Sequence, residues 1–171
     1  MPLQLYKIAS TEVGSAGVSS FTFSSIPSGY TDLQLVASAR TNRSSGATED
    51  SLCLSFNGST ANFTLLSMYG NGSAPGTSSY TTNGALRLVG TADTATANTF
   101  SNGSLYIPNY SGSNNKSFSI DSVTENNATE AWTFLTGGLW SQTAAITSIT
   151  LTPLVGTSIK QYSTLTLYGI L

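Results

Sequence analysis

Carboxylates are the side chains of this 171-residue chain that come nearest to a catalytic set. Asp121 and Glu125 lie four residues apart in a segment of strand-like composition, and Glu125 and Glu130 flank the turn ENNATE. Glycoside hydrolysis needs two carboxyl groups about 5–10 Å apart. On one face of an extended strand, Asp121 and Glu125 are ~13 Å apart. Glu49 and Asp50 form a weaker pair in a loop. We interpret all of these as solvated charges at turn edges.

Other catalytic and metal-binding arrangements lack their residues. The chain has no histidine and one cysteine, Cys53, so Ser-His-Asp and Cys-His sets have no base and His/Cys zinc sites have no ligands. Asp121, Glu125, Asn126 and Asn127 carry oxygens of the kind that calcium prefers, but without regular spacing. No glycine-rich phosphate loop occurs. We expect no enzymatic activity and no cofactor, and we assign no catalytic, metal-binding or cofactor-binding residue.

Aromatic rings are the remaining side chains that could bind a ligand, by stacking on sugars. We interpret both tryptophans as core residues. Trp132 shares a strand face with Phe134. Trp140 follows Leu139 just before a turn, where it could close the end of the core. Four tyrosines leave both interpretations open: Tyr6, Tyr30, Tyr106 and Tyr110.

The charge content limits the partners. Six Lys and Arg stand against eight Asp and Glu, and charged residues make up only 8% of the chain, against about 25% in an average globular protein. Nothing builds the positive field that nucleic acid requires, and no apolar run reaches ~18 residues. The start, MPLQLYKIAS, does not have the pattern of a signal peptide. We therefore expect neither nucleic-acid binding nor membrane insertion, and no disulfide within the chain.

The elements that position these residues are strands, because apolar residues recur with a period of two. The pattern is clear in TDLQLVASAR, SLCLSF, KSFSIDS, ITSITLTP and YSTLTLYGIL. In SLCLSF, Cys53 lies on the strand face opposite the large apolar residues. We interpret it as a small residue on that second, partly covered face. The alternation predicts this buried set: Leu33, Leu35, Leu52, Leu54, Phe56, Phe118, Ile120, Ile149, Leu151, Leu165 and Leu167.

Turn signals separate the strands. Four Asn-Gly pairs, at residues 57–58, 71–72, 83–84 and 102–103, predict hairpins or tight turns. Strands are predicted near residues 3–9, 18–23, 31–40, 50–57, 62–69, 84–90, 99–107, 116–125, 130–136, 145–152 and 162–170. Residues 41–50 and 71–83 are predicted as long loops. The expected fold is all-β: one jelly-roll-like antiparallel β-sandwich of about ten strands, forming a single domain over residues 1–171.

Several motifs are spread from residue 7 to residue 170. They are KIAS near the start, SIPSGYTDL, LSFNG, GLW ahead of AITSITL, and the closing YSTLTLYGI. In this combination the chain resembles a group of small virion proteins of tailed bacteriophages, many of them from aquatic hosts. These motifs concern packing and turns, so the resemblance carries over no functional residue.

The resemblance implies a non-enzymatic structural protein of a tailed-phage virion, most simply a capsid decoration (cement) protein or a small surface appendage. It implies assembly in the bacterial cytoplasm, with other capsid or tail proteins as partners. The alternative is a receptor-binding tail tip or carbohydrate-binding module, with a host glycan as partner. We expect a homo-oligomer, with a trimer favoured. The predicted contacts are Tyr168 and Ile170 on the last strand, or Phe21 and Phe23.

Overall fold

The structure, a computed structural model, describes residues 4–81, 88–127 and 130–171. Within these residues the chain forms twelve strands and no helix, which confirms the all-β prediction. The strands are β1 (Leu5–Glu12), β2 (Phe21–Phe23), β3 (Asp32–Ser38), β4 (Glu49–Phe56), β5 (Phe63–Gly70), β6 (Pro75–Thr81), β7 (Leu88–Thr91), β8 (Asn102–Ile107), β9 (Lys116–Thr124), β10 (Trp132–Trp140), β11 (Ile149–Pro153) and β12 (Thr164–Ile170).

The strands form two sheets, as a sandwich requires. The larger sheet has eight strands in the order β1-β12-β3-β8-β9-β10-β5-β6, and the smaller has four in the order β2-β11-β4-β7. Paired strands within each sheet run antiparallel. The sandwich prediction is therefore confirmed, and the finer jelly-roll topology stays a prediction.

The core lies between the two sheets and includes every residue that the alternation picked out. All eleven residues predicted to be buried are at most 4% exposed. An aromatic group fills one part of this core, where the ring of Phe56 lies 5.3 Å from Phe63, 5.9 Å from Phe118 and 5.4 Å from Trp140, centroid to centroid. Period-two patterning therefore determines which side chains the two sheets share.

Two of the Asn-Gly predictions are confirmed by the backbone. Asn57 and Gly58 both have positive φ, 51° and 75°, and Phe56 and Ser59 exchange backbone hydrogen bonds across them at 3.1 and 2.9 Å. This is the geometry that Asn-Gly favours in a two-residue turn. The 71–72 pair lies in the turn between β5 and β6, and the 83–84 pair lies outside the described residues.

The prediction of a turn at residues 102–103 is wrong, because both residues belong to β8. Gly103 is paired with Ser122 of β9, and a Cβ at Gly103 would lie 2.6 Å from Cδ1 of Leu88. The glycine is needed there for the close approach of a neighbouring side chain rather than for a turn.

The long loop predicted over residues 71–83 is also wrong in part, because residues 75–81 form β6. This strand pairs with β5 along its whole length and is the edge of the larger sheet. Its sequence, PGTSSYT, has little apolar periodicity, so the pairing with β5 decides its conformation.

The segments that connect strands at one end of the sandwich pack against one another. We call this the loop end; it comprises residues 13–20, 39–48, 92–101 and 154–163. Backbone hydrogen bonds cross between these segments, including Val13 N to Ser163 O at 2.8 Å and Lys160 N to Arg40 O at 2.8 Å. The loop predicted over residues 41–50 belongs to this end, except that its last two residues begin β4.

Candidate functional site

The carboxylates singled out in the sequence do not converge. Asp121 accepts a 2.6 Å hydrogen bond from the Ser104 hydroxyl, and Glu125 accepts a 2.7 Å bond from the backbone N–H of Asn127. Glu130 accepts a 3.0 Å bond from a threonine hydroxyl of another loop. Within the described residues, no group of three His, Cys, Asp or Glu side chains is close enough to hold a metal ion.

The Glu49-Asp50 pair separates into two structural roles. Glu49 lies 3.6 Å from the Arg43 guanidinium. Asp50 is fully buried and accepts hydrogen bonds from the Thr41 hydroxyl at 2.9 Å and from the backbone N–H groups of Val155 and Gly156 at 3.2 and 2.9 Å. Asp50 therefore joins two loops and faces no open cleft.

Cys53 has the character of a structural thiol. It is half-buried on the outer side of β4. Burial, and secondly the negative charge of Asp50, raise the pKa of its thiol above the usual value of 9.0. A thiol that stays protonated at neutral pH is a poor nucleophile.

Most of the aromatic candidates are occupied in packing. Trp140 is 2% exposed, which confirms its core position. Trp132 is half-buried and stacks on Phe134 at 5.6 Å with an interplanar angle of 8°. The Tyr110 ring is buried and its hydroxyl donates to the Pro27 carbonyl.

The other three tyrosines are more accessible and lie away from the loop end. Tyr6, which is 37% exposed, packs 5.9 Å from the half-buried Tyr30. Tyr106 is equally exposed and donates a 2.6 Å hydrogen bond to Asp32. This bond raises the pKa of Tyr106.

A buried lysine closes the opposite end of the sandwich. Lys116 is 1% exposed, and its Nζ donates to the carbonyls of Gly112, Asn114 and Thr143 at 2.7, 2.5 and 3.3 Å. Burial lowers the pKa of this amine. All three of its donors are occupied by backbone carbonyls, so its role is to hold loops together.

Arg40 organises the loop end, and the sequence offered no sign of this. Its side chain is almost buried, and Nη1 donates to the carbonyls of Thr96 and Thr99, both at 2.9 Å. Nη2 donates to the carbonyls of Asp93 and Ala95 at 3.2 and 3.0 Å. Residues 93–99 are thus wrapped around one guanidinium group.

A cavity of about 230 Å³ opens beside this arginine; we call it the loop pocket. An ion pair lies in its wall, with Lys160 Nζ 2.6 Å from Asp93 Oδ1 and Arg40 Nη2 3.7 Å from the same oxygen. The other lining side chains that could meet a ligand are Asn98, Phe100, Gln161 and Tyr162.

Tyr162 is unusual in both backbone and exposure. Its φ is 69°, and a 3.2 Å hydrogen bond from Ser163 N to Lys160 O closes the turn around it. The third residue of such a turn is normally Gly or Asn when its φ is positive. The ring is nevertheless 61% exposed. From sequence, Tyr162 was predicted as the first residue of the last strand.

No known protein family, curated protein or solved structure matches this chain. The described residues also contain no helix with the length and apolar character that crossing a membrane requires.

A second candidate surface lies at the β6 edge of the larger sheet. The adjacent strands β10, β5 and β6 contain no Asp, Glu, Lys or Arg. Leu66, Met68 and Leu135 point outward from β5 and β10 and are 62%, 62% and 57% exposed. Leu135 is directly opposite Met68 in the sheet register. We call these three residues and their strands the apolar edge.

The contact residues predicted from sequence are less available. Phe21 and Phe23 are 9% and 5% exposed and belong to the core. Ile170 is 4% exposed, and Tyr168 is half-buried. The chain itself therefore covers most of the surface that these residues would offer to a partner.

Proposed function

We propose that the chain is a non-enzymatic structural protein of a tailed-phage virion, either a capsid decoration protein or a small surface appendage. The observation that carries this proposal is the apolar edge. A charge-free surface with three large, exposed apolar side chains is suited to binding another protein, because no ion has to be desolvated when it is covered. The resemblance to tailed-phage virion proteins supports the same function.

We propose further that this surface joins copies of the chain into a trimer. Residues close to a three-fold axis meet their own copies from the other two chains, so charged residues there would repel one another. The apolar edge avoids it. Asp121 lies beside Leu135 on β9 and bounds the surface on that side.

The decisive experiment for the function is a count of this chain in purified particles of the phage that encodes it. Quantitative mass spectrometry should find it as a stoichiometric component, with many copies per capsid for a decoration protein and few for an appendage. Its absence from purified particles would overturn the proposal.

Light scattering tests the assembly. The trimer should have about three times the chain mass of 17.8 kDa, and Leu66→Ser/Met68→Ser should reduce it to a monomer. Val36→Ser is the matched control, because Val36 is 38% exposed on β3 of the same sheet. A wild-type mass near 17.8 kDa at micromolar concentration contradicts the trimer.

The absence of catalysis is tested directly. The pure protein should release no new reducing ends from host polysaccharides. Release that Glu125→Gln abolishes would contradict a purely structural role.

The alternative function, a receptor-binding tail tip or carbohydrate-binding module, is favoured by a different observation. This is the exposed ring of Tyr162 beside the loop pocket.

A further inference from the structure

We infer that the loop pocket binds one pyranose residue of a glycan, with the Tyr162 ring as its stacking surface. This gives the alternative function above a site and a ligand class. It needs only the isolated protein for its test, so its failure would leave the virion proposal standing.

The first argument is the backbone of Tyr162. A bulky side chain at positive φ is disfavoured, and such residues gather at functional sites. Here the ring gains no core packing in return, since it is 61% exposed. Its turn is held by hydrogen bonds on both sides, from Tyr162 N to Val13 O at 2.9 Å and from Ser163 N to Lys160 O at 3.2 Å. The backbone is thus held where an exposed aromatic side chain projects beside the cavity that it lines.

The second argument is the mixture of donors and acceptors around that ring. The ammonium of Lys160 has three N–H donors, and within the described residues one of them goes to Asp93. The carboxylate of Asp93 offers its other oxygen as an acceptor. Asn98 and Gln161 line the same cavity, and each amide both donates and accepts. Sugar hydroxyls also do both, so neighbouring hydroxyls of a pyranose match this set.

The third argument is rigidity. Four hydrogen bonds from the Arg40 guanidinium to backbone carbonyls fix residues 93–99. Arg40 is therefore a positioning residue that places Asp93 and Asn98, and its own N–H groups at Nη1 and Nη2 are occupied. A site that is already ordered loses less conformational entropy on binding.

The size of the cavity sets the size of the ligand. About 230 Å³ is smaller than the roughly 300–1,000 Å³ of pockets for drug-sized ligands. One sugar ring is the unit of recognition, and the remainder of a glycan would extend over the rim. From ligand efficiency, we expect a Kd of about 1–10 mM for a single pyranoside.

The experiment is an NMR titration of the full chain with four methyl glycosides, those of glucose, galactose, N-acetylglucosamine and glucuronic acid. At least one should bind with a Kd of roughly 1–10 mM. Its shifts should centre on Asn98, Gln161 and Tyr162, and saturation transfer should reach the sugar from the Tyr162 ring. Binding of none of them at ~50 mM, or shifts centred elsewhere, would overturn the inference.

Variants of Tyr162 separate binding from folding. Tyr162→Gly suits the positive φ, and this gain opposes the greater entropy of glycine in the unfolded chain, so Tm should stay within about 4 °C of the wild type. Loss of the ring should weaken binding about two- to twelve-fold. Tyr162→Phe keeps the stacking face and should bind within about threefold of the wild type.

Two further variants complete the set. Asp93→Asn should weaken binding several-fold because it removes the ion pair with Lys160. Tyr6→Ala removes a different exposed ring and serves as the control that leaves binding unchanged. Unchanged binding in Tyr162→Gly would refute the stacking role and, with it, the site.

Discussion

Replacing Gly138 with alanine should destabilise the protein, while the same replacement at Gly137 should not. The two glycines are neighbours in β10 and point to opposite faces of the larger sheet. A Cβ at Gly138 would lie 2.2 Å from Cε2 and Cζ of Phe118 and 2.8 Å from Cδ2 of Leu65. A Cβ at Gly137 would meet nothing within 4 Å.

The size of the effect depends on whether Phe118 can move. Its side chain is 4% exposed, and its ring lies 5.9 Å from that of Phe56 and 6.1 Å from that of Phe63. Overpacking of such a core typically costs about 1–3 kcal/mol. Loss of glycine's freedom in the unfolded chain returns about 0.4–1 kcal/mol. We therefore expect Gly138→Ala to lower the free energy of unfolding by about 1–2 kcal/mol.

Urea denaturation followed by tryptophan fluorescence measures this difference, since Trp140 lies in the same aromatic group. In thermal unfolding of a chain of this length, Tm should fall by about 2–8 °C in Gly138→Ala. In Gly137→Ala it should stay the same or rise by a few degrees. Phe118→Leu should partly rescue Gly138→Ala because it removes the obstructing ring atoms. Equal effects at the two glycines, or a fully stable Gly138→Ala, would refute the packing argument.

Two further predictions concern the side chains of Arg40 and Cys53. Arg40→Met should lower the free energy of unfolding by about 2–4 kcal/mol, because it leaves four loop carbonyls without their donor. It should also expose residues 93–99 to limited proteolysis. Lys7→Met, at an exposed position of β1, is the control, and an intact loop in Arg40→Met would contradict the role given to the guanidinium. The second prediction follows from the raised pKa of Cys53. In the unfolded chain the thiol ionises with its usual pKa of 9.0, while in the folded protein it stays protonated to higher pH. Stability should therefore fall as the pH rises from 9.0 through the pKa of the folded state. Cys53→Ala should remove that part of the alkaline loss in pH-dependent urea titrations, and an unchanged pH profile would count against burial as the cause.

The strand pattern and the core were readable from the sequence because their cause is local. Period-two alternation in segments such as TDLQLVASAR places every second side chain on one face, and that face becomes buried whichever strands it pairs with. The Asn57-Gly58 turn was readable for the same reason, since the conformational preference belongs to the two residues themselves.

Elements without a local signal were assigned wrongly or missed. β6 has a composition typical of a loop and becomes a strand because the free edge of β5 offers it a full set of hydrogen-bond partners. Gly103 belongs to a pair that favours turns, yet Leu88 packs so closely against it that only glycine fits in the strand. In both cases contact with another strand outweighs the local preference.

The loop pocket could not be predicted at all. Arg40, Asp93 and Lys160 come from three different connections between strands, and none of them stands in a recognisable motif. The sequence predicts Tyr162 as the first residue of a strand. In the structure it lies in a turn closed by Lys160 and Ser163 and has a positive φ. Sequence alone determined which faces of this protein are buried, because burial follows from periodicity along each strand. Only the tertiary structure decided which loop side chains meet, because that depends on the order of strands in the two sheets.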